Sequence, residues 1–154
     1  MPVSDYTPTT SDVALLLRAR TRDANGNITG DFTDDVTVPG ETDAAGLIDL
    51  AADEVGEAIG PDIDTDFWES GKAVITILAA ANIELSYFPE QAAANNSMYD
   101  KLMARFDVKL KSLQADVAEA EQEEEMEESG SDSTMGISVA GGFPMPLWWG
   151  SVQW

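Results

Sequence analysis

Apolar residues recur at helical spacing from Val13 to Val117, and the pattern predicts four helices. In TTSDVALLLRART, Val13, Leu16 and Leu17 fall on one face, with Ser11 placed as the N-cap. From about Thr42 to Ile59, a second stripe runs through Leu47, Leu50, Ala51, Val55 and Ile59, and Gly60-Pro61 stops it. A third helix is predicted from Asp66 to about Tyr87, because Asp66 and Glu69 have the spacing of a capping box. Its stretch AVITILAAA is apolar nearly all round, which marks a central, buried helix. Pro89 pushes the residue before it out of helical geometry and suits the first turn of a fourth helix. The stripe of that helix is Tyr99, Leu102, Phe106, Leu110, Leu113 and Val117.

Between the first two helices lies RDANGNITGDFTDD, rich in turn formers. Asn25-Gly26 favours a tight turn, and the short runs beside it either pair as a hairpin or stay a loop. After Val117 the apolar period stops at AEAEQEEEMEES. Its seven glutamates between Glu119 and Glu128 repel one another at helical spacing, so the fourth helix is expected to fray within this run. SGSDSTMG has the composition of a linker. The chain then reads GGFPMPLWWGSVQW, a cluster of large apolar side chains of the kind that marks a binding surface. The reading is all-α: a small four-helix bundle-like domain over residues 1–128, with a loop or short hairpin after the first helix. An extended tail over 129–154 follows, made of a flexible linker and a tryptophan-rich docking segment.

The chain has 154 residues and a net charge of −21, a field that repels nucleic acid and anionic membrane. With no cysteine and no histidine, thiolate chemistry, zinc–sulfur sites and the usual neutral-pH general base are excluded. The N-terminal MPVSDYTPTT lacks the basic–apolar pattern of a signal segment. The nearly apolar run Ala73–Ala81 is too short to span a bilayer. No phosphate loop, nucleophile elbow or HExxH motif is present, and no catalytic, cofactor or metal residues are assigned. The offsets Asp23, Asn25, Asn27, Thr29, Asp31 and Asp34 match an EF-hand loop, but Ile28 replaces the turn glycine and Asp34 the final glutamate. An ordinary polar turn is the better reading. Arg18, Arg20 and Arg22 are read as complementing a helix end rather than as a phosphate patch. Lys101, Arg105 and Lys109 form a stripe beside the apolar face of the fourth helix. It suits either an acidic partner or the protein's own carboxylates.

IELSYFPEQ (Ile83–Gln91), TSDVALLLRARTRDANGNITGDFT ahead of it and the YxxL step at Tyr99 carry a resemblance. Over roughly Thr9 to Val117 the chain resembles the head-to-tail adaptor (connector) proteins of tailed bacteriophages with long non-contractile tails, especially those infecting actinobacteria. The resemblance implies a non-enzymatic virion protein of the neck, assembled in the host cytoplasm, with no cofactor. Such adaptors form a ring, usually of twelve copies, below the portal protein. They bridge it to a stopper or tail-completion protein and leave a channel for DNA passage. They bind neither membrane nor specific nucleic acid. Their C-terminal segments commonly dock on the portal, which makes Phe143, Leu147, Trp148, Trp149 and Trp154 the candidate anchors here. Lys101, Arg105, Lys109, Asn25 and Asn27 are candidates for ring or neck contacts. The alternative is an acidic DNA-mimic inhibitor of a nucleic-acid-binding enzyme. The expected flexibility of the glutamate run argues against it.

Overall fold

A computed structural model describes residues 3–60 and 63–131. Its helices are α1 (Thr10–Leu16), α2 (Glu41–Ile59), α3 (Trp68–Tyr87), α4 (Pro89–Ala92) and α5 (Met98–Ser131), with 3-10 turns at Val3–Tyr6 and Thr65–Phe67. The fold is all-α and bundle-like, and among the described residues there is no strand. The candidate anchors Phe143, Leu147, Trp148, Trp149 and Trp154 lie outside the described residues.

α3 is the hub. Val74, Ile75, Ile77, Leu78, Ala79, Ala80, Ala81 and Ile83 are all buried, as an all-round apolar helix requires. α1, α2, α4 and α5 each pack against it. From α5 it receives Leu102, Phe106, Leu113 and Val117, and from α2 Ala44, Ile48, Ala51, Ala52 and Val55. Leu50, placed on the α2 stripe by its spacing, is instead 55% exposed, and Ile48 takes the inward position. Gly71 lets the first 3-10 turn approach: a Cβ there would come within 2.9 Å of the Tyr6 ring.

The helix starts differ from the sequence expectation, each for a local reason. Thr9, not Ser11, caps α1. Its Oγ1 accepts from the Asp12 amide while Asp12 accepts from the Thr9 amide, which completes a capping box. Asp64, not Asp66, caps the segment before α3. It takes the Asp66 amide and the Thr65 hydroxyl, so a 3-10 turn precedes Trp68. The predicted fourth helix is two. α4 ends at Ala92, and α5 starts afresh after Asn96 (φ 59°) with reciprocal hydrogen bonds between Ser97 and Asp100. No fraying occurs inside the glutamate run, because α5 continues to Ser131.

α2 is capped from a distance. Its N-cap is Gly40, and Asp34 supplies the missing carboxylate, accepting from the Thr42 amide at 2.9 Å and the Thr42 hydroxyl at 2.7 Å. A Cβ on Gly40 would sit 2.5 Å from that carboxylate oxygen. The hydrogen bonds from Thr42 hold the Asp34 carboxyl below its ordinary range. A depressed pKa contributes stability above the unfolded-state value of about 4, lost as pH falls through the folded-state value. Asp34→Ala is therefore expected to lower the melting temperature at pH 7, and the gap between the two proteins should narrow as pH falls below the ordinary carboxylate range. Comparing the two proteins cancels the change in overall charge repulsion. A gap that persists in acid would mean that the loss is packing, not the charged cap.

Candidate functional site

The polar loop does not gather a metal site. Asp23 accepts from the amides of Asn25 and Asn27 at 2.9 and 2.8 Å and from the Asn27 side-chain amide at 3.0 Å. These bonds, that from the Asn27 side chain foremost, hold its carboxyl below the ordinary range. Asp34 is turned away to cap α2, and among the described residues no three metal-ligating side chains converge. The loop is a hairpin-like turn with one antiparallel bridge, Arg22 to Ile28, and Gly26 at φ +84°. Asn27 is committed to the turn itself. The Asn25 side chain stays exposed.

The three arginines divide. Arg22 closes the turn through the carbonyls of Ala19 and Gly26. Arg18 is exposed. Arg20 does what the sequence reading missed. Its Nε and Nη2 donate to both oxygens of Glu84 at 2.6 and 2.7 Å, and its guanidinium lies 4.2 Å from the centre of the Phe88 ring. The Glu84 side chain is 2% exposed. The hydrogen bond to Glu84 raises the Arg20 pKa above its ordinary value. This bidentate, ring-backed pair ties the segment after α1 to the end of α3. The advance signal is a glutamate that follows the apolar stretch of α3.

The basic stripe is real and solvent-facing. Lys101, Arg105 and Lys109 are exposed on α5, and none has an ion-pair partner among the described residues. Arg105 and Lys109 form one wall of an open groove of ≈ 400 Å³. Across it stand Leu15 and Leu16 of α1 and Lys72 and Ala73 of α3, with Lys72 bound to Asp12 at 3.0 Å. Glu69 also borders the groove, so its net charge is weakly positive on a strongly acidic protein. The groove is open to solvent and does not enclose a small molecule.

Among the residues whose burial is described, Val117 is the last buried one of α5, and at 1.5 Å per residue the helix runs about 20 Å further to Ser131. No described helix is long and apolar enough to cross a membrane. A scan against protein-family models, a search of curated proteins and a search of solved structures each found no match.

Proposed function

We propose that this chain is a phage head-to-tail adaptor: a non-enzymatic neck protein that forms a ring below the portal, bridges it to a stopper or tail-completion protein, and lets DNA through. The observation that carries the reading, beside the sequence resemblance, is the reach of α5. α5 runs about 20 Å past Val117, its last buried residue among those described, and the tryptophan-rich segment follows in sequence. That arrangement suits a tail that orders on a partner, where each tryptophan of ~200 Å² contributes several kcal/mol before ordering costs. Ring symmetry would multiply a modest single-site affinity.

The test is co-sedimentation with the cognate portal, comparing the full chain with one truncated after Ser131. The truncated chain keeps every described helix. The expected result is binding by the full chain alone, with a loss of at least about a hundredfold on truncation. Equal binding would reassign the tail, and binding by neither would remove the adaptor reading.

One observation favours the DNA-mimic reading. The glutamate run lies on a continuous helix, with seven carboxylates over about 15 Å, or one per ~2 Å, close to the one per ≈ 1.7 Å of duplex DNA. Its short length keeps it second. Displacement of DNA from a nucleic-acid-binding enzyme by the full chain would move it first.

A further inference from the structure

The free cations share one face of α5 with part of the acidic extension. At 100° per residue, eighteen residues make five whole turns, so Lys101 and Glu119 share one azimuth and Arg105 and Glu123 another. The exposed apolar residues repeat the same interval: Val108 is 69% exposed and Met126 is 73% exposed. The helix thus carries one surface twice, first with basic residues around an apolar point and then with acidic residues around another. The two halves are offset by about 27 Å. Being on one continuous helix, they cannot fold onto each other. Lys101, Arg105 and Lys109 consequently lack an anionic partner among the described residues of a chain with 29 acidic side chains.

We propose that the acidic extension of α5 in one copy of this chain lies along the basic stripe of α5 in a second copy. The helices run parallel and are staggered by eighteen residues. Glu119 then stands opposite Lys101, Glu123 opposite Arg105, and Met126 opposite Val108. The contact uses different halves of one helix face on the two copies, so each copy retains a free half, and because every further copy is shifted by the same ~27 Å along the axis the association continues as an open filament. An antiparallel pair would also match Arg105 with Glu123. It would set Val108 against Ala120 and leave Met126 without its apolar counterpart. The inference goes beyond the adaptor reading and requires neither a portal nor a closed ring.

The chain has no cysteine, so single introduced thiols report the register directly. Full-length Val108→Cys and Met126→Cys chains, mixed with oxidised glutathione at about 20 mM NaCl, are expected to give mainly the mixed disulfide dimer. A Lys109→Cys and Glu119→Cys mixture, which only the antiparallel register brings together, is expected to give little. Sedimentation of the unmodified chain should show species larger than the monomer at low salt. Association should weaken at least about tenfold near 0.5 M NaCl, as screening of exposed charges requires. Arg105→Glu with Lys109→Glu should abolish it, and adding a Glu119→Lys, Glu123→Lys chain should restore a mixed complex. All these positions are exposed, and helical content by circular dichroism confirms that the variants fold. A monomer at low salt, or cross-linking by the antiparallel pair alone, overturns the proposal. Because portal binding is read separately through the tail, a failed register leaves the adaptor reading standing, and a failed portal assay leaves this contact standing.

Discussion

Arg20→Ala is expected to lower folding stability by about 3–5 kcal/mol, because it leaves a buried carboxylate without its counter-charge. Glu84 is 2% exposed, and both its oxygens are taken up by the one guanidinium. For a domain of this size the loss corresponds to a fall in melting temperature of about 10 °C or more. The loss should not mean that the pair itself is worth that much. Replacing both partners, Arg20→Met with Glu84→Leu, should recover most of the stability, since an apolar pair of similar volume avoids the desolvation cost of two ions. Denaturant unfolding of the two single variants and the double variant measures this as a cycle. A double variant as unstable as the singles would show that the carboxylate–guanidinium geometry, with Phe88 against the guanidinium, is required by the packing itself.

Leu113→Ala should be the next largest loss, about 2–5 kcal/mol. Leu113 is 1% exposed and lies where α5 rests on α3, the most extensive helix–helix contact in the fold. Truncation leaves a cavity between two helices that the rest of the contact holds apart. Val108→Ala, about one turn away on the same helix but 69% exposed, should stay within about 0.5 kcal/mol. Guanidinium unfolding of the two variants separates burial from helix propensity, because alanine is the better helix former at both positions and any loss therefore reports lost packing. Similar losses would mean that the burial of Leu113 against α3 is not what sets its cost.

Those two residues also show what could be read in advance. Leu113 is legible: the 3.6-residue period of the long helix puts it inward, as it puts Val13, Val55 and Ile75. The ends of α2 and α3, at Ile59 and Tyr87, are equally legible, since Gly60 and Pro89 mark them. Arg20 was not. Its partner is 64 residues away, and pairing at that distance leaves no local pattern. The remote cap of α2 by Asp34 and the choice of Thr9 over Ser11 failed for a related reason. Several residues near each helix start are able to cap, and the loop path decides which one does. The helicity of the glutamate run is not legible from spacing alone, because like-charge repulsion and the helix propensity of glutamate oppose each other at a few tenths of a kcal/mol each. Lys101, Arg105 and Lys109 are exposed along α5, as their spacing predicts. That Glu119 and Glu123 stand on the same face follows only once α5 is unbroken.

An unbroken α5 is also a ruler with a fixed phase. Inserting one alanine after Val117 would move everything beyond it 1.5 Å outward and turn it by 100° about the helix axis. Distance and direction cannot be changed independently. Two inserted residues would aim the following segment to nearly the opposite side of the helix. Seven would add about 10 Å yet return it to within about 20° of its original bearing. A partner that must be met at both a set height and a set bearing would tolerate the length of this segment only in steps near whole turns.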